Sequence, residues 1–385
     1  MMKIEKLDAM GKPYHIYAEH LEQGAIDQFV SAMEHDAITK GAMMPDAHTG
    51  YSLPIGSVVA SDGVIFPSFV GYDIGCGMCA LKIAGIGGSD IRANAQKIFD
   101  EIYKKVPVGN QMHNVGAEYG ETKLRIQDLT ESSQEIAEKR SWFSQLGTLG
   151  GGNHFIEIGE DENGCAWIVI HSGSRGTGHG IAGSYMKLAS NSDKPLEGNF
   201  GFRVDSQQGQ DYLNDFEWAL QYALDNRSSM IRSVEKVIHK ITGIETHGDW
   251  HNLINRNHNH ATLREIDGRD LWIHRKGATH AEDGMMGVIP GNMRDGSFIV
   301  RGKGNQDSLF SSSHGAGRVL GRKQVQRELN LDDFKSTMNG IYAKVEQNTI
   351  DESPFAYKDI FEVMDMQRDL VDVVAHVVPI VNIKG

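Results

Sequence analysis

Apolar residues recur along this chain in two rhythms. Steps of three and four mark helices over residues 21–33, with Ile26, Phe29 and Met33 on one face, and over 91–106, with Ala95, Ile98 and Ile102. Residues 131–146, 332–345 and 358–377 also read as helices. The longest run, 211–240 within a helical segment of about 205–240, carries Leu213, Phe216, Leu220, Leu224, Ile231, Val234 and Ile238 as one stripe. Arg227 falls on that stripe, its stem snorkelling or its guanidinium meeting an anion. Shorter runs at 15–18, 53–60, 79–83, 166–171 and 271–278, and the stretch 287–301, read as strands and turns. Polar, glycine-rich blocks separate them.

Composition narrows the classes. With 40% apolar and 23% charged residues, the 385-residue chain is an ordinary globular protein. No uncharged apolar run approaches the roughly 18 residues that span a bilayer. The first residues carry acids where a signal peptide has its apolar region, and three cysteines suit a reducing compartment, so the expected location is the cytoplasm. A net charge of −13 argues against a wholesale nucleic-acid coat, while a local basic groove stays open. More telling are the 44 glycines and 17 histidines, which cluster in the polar blocks.

The block at 71–79 places Asp73 and Cys76, a hard oxygen and a soft sulfur, three residues apart on glycine-loosened backbone. Cys76 and Cys79 form a C-x-x-C, but Cys165 is the only other cysteine, so no second half of a zinc clip exists. Asp46 and His48 sit in a polar loop, as ligands or as loop hydrogen-bonding groups. At 147–158 a glycine-rich loop enters a strand, as a turn or as a phosphate nest, bringing Asn153, His154 and Glu157; on a regular strand the last two would face opposite ways. His171 ends a buried-strand pattern before Ser-Gly-Ser-Arg175. Six of the 17 histidines fall between residues 247 and 280, and one of His247, His251, His258 and His260 is expected to ligate a metal. His314 lies between hydroxyls and glycines, with Arg318 near and with Arg322, Lys323 and Arg327 opening a basic helix.

Asp-Ile-Gly-Cys-Gly-Met, Gly-Asn-His-Phe-Ile-Glu, His-Ser-Gly-Ser-Arg-Gly, Arg-Lys-Gly-Ala, Ser-His-Gly-Ala-Gly-Arg and the closing Ile-Lys-Gly, in this order, resemble the blocks of the RtcB-type RNA ligases. The likeness runs from residue 44 to the end. It implies an α+β mixed fold of central β-sheets flanked by helices, as a single large domain over 1–385. It also implies GTP- and manganese-dependent joining of RNA 2′,3′-cyclic phosphate or 3′-phosphate ends to 5′-hydroxyl ends, in RNA repair or tRNA splicing. By motif position Asp73, Cys76, His154, His171 and His251 would hold two Mn²⁺ ions, with Cys76 shared, and His314 would be the guanylylated nucleophile. Asn153, Glu157, Tyr357 and Lys384 would hold the guanine nucleotide, and Arg175, Lys276 and Arg318 would meet phosphates or RNA.

Three blocks depart from the family pattern. Trp250-His251-Asn252 stands for the usual His-His-Asn, residues 290–295 replace a Pro-Gly-Ser-Met-Gly, and 45–51 differ from the more usual His-Leu-Gly-Lys. The alternatives are a dinuclear metal-dependent phosphodiesterase acting on RNA cyclic phosphate ends, which needs neither His314 nor a guanine pocket, and a metal-stabilised RNA-binding module. Finally, the apolar run 371–383 is expected to carry Lys384 into the interior.

Overall fold

In a computed structural model of the chain, residues 4–114 and 122–385 are described. The strand patterns assemble into two main sheets within a mixed α/β fold. One has five strands in the order Tyr14–Ile16, Ile38–His48, Ile55–Ser61, Arg269–Lys276, Asn259–Ile266. The other runs Ile254–Asn257, Gly77–Gly87, Cys165–Ser172, Phe155–Glu160, Val371–Lys384, Ser297–Gly302, Met286–Pro290, with His247–Gly248 and Tyr342–Ala343 paired at its flanks. Its strands are drawn from residues 77 through 384, so this sheet ties most of the chain together.

The two-residue period of a strand gives this larger sheet two unlike faces. Leu81, Ile156, Ile158, Ile168, Ile170 and Ile383 point to a core shared with the helices Gly88–Lys105 and Gln207–Thr242. Met78, Ala80, Phe155, Trp167 and Val169 alternate with them and pack on the opposite side. Glu157, His171, Asn382 and Lys384 fall on that second parity, so the strands present them away from the long helix.

The long helix buries its stripe as the spacing requires, from an N-terminal Ser206 cap to Gly243 in the left-handed region. Arg227 neither snorkels nor faces an anion. It is buried, and its guanidinium donates to Asn255 and Asn257 Oδ1 and to the carbonyls of Gly75 and Ser172, at 2.6 to 2.8 Å. The helix thereby clamps the turn before Gly77–Gly87 to its neighbouring strands.

Three helix expectations fail. Residues 358–377 form only the short helix Ile360–Asp365, and the strand Val371–Lys384 follows. Its Val and Ile residues favour the pleated sheet, and pairing with Phe155–Glu160 and Ser297–Gly302 decides the outcome. Residues 131–146 divide into Glu131–Lys139 and Trp142–Gln145 because Ser141 adopts φ 53°. The helix Leu331–Thr337 stops before Gly340, whose φ is 83°, and Tyr342–Ala343 pairs as a strand. Among the described residues no helix is long and apolar enough to cross a membrane.

Candidate active site

The turn that precedes Gly77–Gly87 brings Cys76 against the ends of two strands. Its Sγ lies 3.2 Å from His171 Nε2 and 3.5 Å from His154 Nε2. His154 Nε2 is 3.1 Å from Asp73 Oδ2, and His171 Nε2 is 3.3 Å from His258 Nε2. Two triads result, Asp73/Cys76/His154 and Cys76/His171/His258, with the thiol common to both. His154 precedes its strand, so the strand's alternation does not set its direction. Gly173 is required here because a Cβ would run into the Asp73 carboxylate, to which Ser174 N–H donates at 3.2 Å.

The donor set fits divalent transition ions. His154 Nδ1 meets the Leu149 carbonyl at 2.9 Å and His171 Nδ1 the Asn153 carbonyl at 3.1 Å. A carbonyl only accepts, so each Nδ1 carries the proton and each Nε2 turns a lone pair toward the sulfur. Burial holds His171 and His258 well below the usual imidazole range, keeping them neutral, as ligation demands. Burial, helped by Asp73, pushes the Cys76 thiol far up, so only a bound cation would draw it into the thiolate form.

His251 is not part of this group. It sits exposed on the 3₁₀ turn Trp250–Asn252. The third imidazole of the cluster is that of buried His258, whose backbone N–H donates to the Cys76 carbonyl at 2.7 Å, while Asn259 Nδ2 donates to the Asp73 carbonyl. The motif match goes to the wrong residue for a plain reason: between residues 247 and 260 a His-Asn pair occurs twice, at 251–252 and 258–259, and only the second adjoins the strand beside Gly77.

His314 closes the row. Ring centroids step from His154 to His171 to His258 to His314 at 5.2, 5.0 and 4.8 Å. Fully buried Asp46 accepts His314 Nδ1–H at 2.6 Å and the backbone N–H groups of His314 and Gly315 at 3.1 and 3.3 Å. Burial alone would raise the Asp46 carboxyl, but His314 outweighs it and holds it below its ordinary value. A carboxylate on Nδ1 leaves Nε2 as the free nitrogen of a ring that borders a cavity. Asp46 and His48 lie on the end of the strand Ile38–His48 rather than in a loop, and His48 turns its Nδ1 to the Asp46 carbonyl at 2.8 Å.

That cavity measures about 240 Å³. It brings together Asn153, Glu157, His171, His314, Arg318, Tyr357 and Lys384 from distant parts of the chain. Register explains the pairing: Asn382 stands opposite Glu157 and Lys384 opposite Phe155 across two antiparallel strands. The Lys384 ammonium is buried and donates to Glu352 at 2.6 Å. Glu352 also takes Tyr357 O–H at 2.7 Å and Arg322 at 2.8 Å, with Arg318 at 3.4 Å. Burial would raise its carboxyl, and Lys384 with Arg322 holds it below its usual range. Glu157 differs: burial pushes it up to about 8 against the lowering pull of nearby Ser297, Lys384 and Asn382, and among the described residues it takes one long bond, from Asn382 at 3.5 Å, while Oε1 has no partner within hydrogen-bonding distance.

Glu352 is a cavity residue that the sequence does not single out, sitting in an acidic pair with no distinctive pattern, whereas Arg322, read only as part of a basic helix start, turns out to line the cavity as well. The altered block 290–295 also lines the cavity through Asn292 and Met293, and Asn292 spends its side chain on Arg294 N–H, Asp295 N–H and Asp295 Oδ2. Arg175 lies on the other side, by Asp73 and His154, donating to Thr148 Oγ1 and the Gly109 carbonyl. Lys276 is not brought to either triad. It is buried against the Ser68 carbonyl and Glu197.

Two triads that could each hold a metal ion share one thiol and lie beside a histidine backed by a buried carboxylate. The chain belongs to the RtcB family: the family model described as "tRNA-splicing ligase RtcB" matches residues 28–385. It is 35% identical to the RNA-splicing ligase RtcB of Escherichia coli K12, over all of both chains. It is 27% identical to the tRNA-splicing ligase RtcB of Thermococcus kodakarensis, covering 100% of this chain and 97% of that one. With the RNA-splicing ligase RtcB of Mycobacterium tuberculosis it shares 29% identity, over 89% of this chain and 96% of the relative.

Proposed function

We propose that this protein, acting as a single catalytic domain, is a GTP- and manganese-dependent RNA ligase that joins 2′,3′-cyclic phosphate or 3′-phosphate ends to 5′-hydroxyl ends. The observation that carries this reading is the Asp46–His314 pair facing a cavity with an unpaired carboxylate. Nε2 of His314 bonds to the α-phosphorus of GTP while pyrophosphate leaves. The proton on Nδ1 stays in place, and Asp46 offsets the positive charge that develops on the ring. GMP then passes to an RNA 3′-phosphate, and the 5′-hydroxyl oxygen attacks that phosphorus and expels GMP. Glu157 suits guanine N1–H and N2–H₂, two donors for a buried carboxylate that has almost none.

Asp73, Cys76, His154, His171 and His258 would hold the two Mn²⁺ ions, which when bound neutralise phosphate charge. The three cysteines are free thiols, in keeping with a cytoplasmic protein. A phosphodiesterase would have no use for His314 or the Glu157 cavity. The test is incubation with manganese and α-labelled GTP, denaturation, and mapping of the label. Acid-labile, alkali-stable label on His314, absent from His314→Ala, is the expected result; label on a lysine overturns it.

A further inference from the structure

The row of four rings has two ends. His314 meets the nucleotide cavity, and His154 with Asp73 opens onto a separate cleft of about 530 Å³. A second cleft of about 370 Å³ continues from it, sharing Lys139, Arg140 and His179. In a chain of net charge −13, Asp73 is the only carboxylate among the described residues lining the two, against Lys139, Arg140, Arg175 and Lys187. Lys139, Arg140 and Lys187 are exposed and carry no ion pair among the described residues. The Arg140 side chain lies over Gly176 and Gly180, where a Cβ would come within 3.6 Å of its Cδ and 3.9 Å of its Nε. At the junction of the clefts Tyr72 and His179 stack, with centroids 4.8 Å apart and planes at 19°. Tyr72 adjoins Asp73 in sequence, so this flat surface begins one residue from the triads.

Cations free of ion pairs along a channel, beside an aromatic stack whose outer ring, His179, is exposed and whose inner ring, Tyr72, is half-buried, are the two elements that hold single-stranded nucleic acid: the charges track phosphates and the rings take bases. We infer that these joined clefts are the track for a single-stranded RNA end, with Tyr72 and His179 as the platform for a nucleobase and Lys139, Arg140 and Lys187 on its phosphates. The inference rests on the ligase reading and adds direction to it. Guanylate arrives at the His314 end of the row, and this strand approaches from the His154 end.

The test uses fluorescence anisotropy of a labelled single-stranded RNA of about 12 nucleotides, titrated with full-length protein without GTP. Combined Lys139→Gln, Arg140→Gln and Lys187→Gln should weaken binding at least tenfold and flatten the log–log salt slope by about 2. Tyr72→Ala should cost roughly 5- to 100-fold. Tyr72→Phe, which keeps the ring, should bind as the parent does. His179→Ala, on an exposed helix position, serves if Tyr72→Ala melts early. Unchanged affinity and slope in these variants, or equal binding of a blunt duplex, would overturn the inference. Label on His314 with unchanged RNA affinity sinks the track and spares the ligase reading; weakened RNA binding with no label in the parent does the reverse.

Discussion

Glu352 and Glu157 line one cavity and have opposite surroundings. Glu352 is encircled by Lys384, Tyr357, Arg322 and Arg318 and is held ionised below its ordinary range. Glu157, buried as deeply, has one long bond from Asn382, leaves Oε1 bare and is pushed up to about 8. A buried carboxylate surrounded by donors is finished architecture, whereas one left short of them is a receptor for donors from elsewhere. The same contrast separates Arg227, fully bonded within the protein, from the Cys76 group, where unprotonated nitrogens converge on a sulfur.

Removing the finished group should cost most. Glu352→Ala leaves buried Lys384 and its neighbours without their counter-ion, and a loss of about 3–5 kcal/mol in urea unfolding is expected. Glu157→Gln should show the opposite trend. Its folded value stands above the ordinary 4.5, so its contribution to stability is present below about pH 4.5 and is lost as pH rises through about 8. The variant should therefore gain on the parent as pH climbs over that window. Parallel losses for both variants would erase the distinction.

The next effect concerns the second unfinished group. His258→Ala removes an imidazole from the Cys76 and His171 triad, and Mn²⁺ affinity measured by calorimetry should fall roughly 100-fold, about 2.7 kcal/mol. His251→Ala, at an exposed turn, should leave it unchanged. Equal effects would restore the ligand set read from the motifs.

That reversal marks what the chain discloses without coordinates. The resemblance names Asp73, Cys76, His154 and His171 together, and the fold brings these four side chains into one cluster, whereas their spacing alone leaves several readings open. His258 was one of four closely spaced histidines, and only strand pairing with 77–80 singles it out. The long helix shows a stripe that local sequence writes out. The strand Val371–Lys384 does not, since an apolar run fits either rhythm and its partners lie about 70 and 225 residues away. Glu352 was invisible for a related reason: its role consists of four partners gathered from residues 318 to 384.

Glu157 offers a subtler reading through pH. Guanine donors need the ionised carboxylate, so below about 8 each bound nucleotide must first displace a proton. Affinity for GTP, followed by calorimetry, should rise about tenfold from roughly pH 6.5 to 7.5 and level off near 8.5. In Glu157→Gln that slope should vanish. A parent profile flat across the range would mean that Glu157 is ionised already and that the contrast with Glu352 is one of geometry alone.

The smallest effect tests how finished Glu352 is. Tyr357→Phe deletes a hydroxyl that donates to Glu352 Oε2 at 2.7 Å and accepts from Arg318 Nη1 at 3.1 Å, and it keeps the ring, over which the Arg318 guanidinium lies at 4.9 Å. Lys384 still bonds the same oxygen and Arg322 the other, so no charge is stranded. The loss should be that of the bond to the charged acceptor, with the longer one from Arg318 adding little because Arg318 keeps its bond to the Asp351 carbonyl, about 1–2 kcal/mol in all. Burial and Glu352 together push the Tyr357 hydroxyl far up, so it stays a donor throughout the neutral range and the loss should not vary with pH there. Urea unfolding of the parent and Tyr357→Phe at about pH 6 and 8.5 measures both statements. A loss as large as that of Glu352→Ala would show that the phenol, rather than the three cations, holds this carboxylate in place.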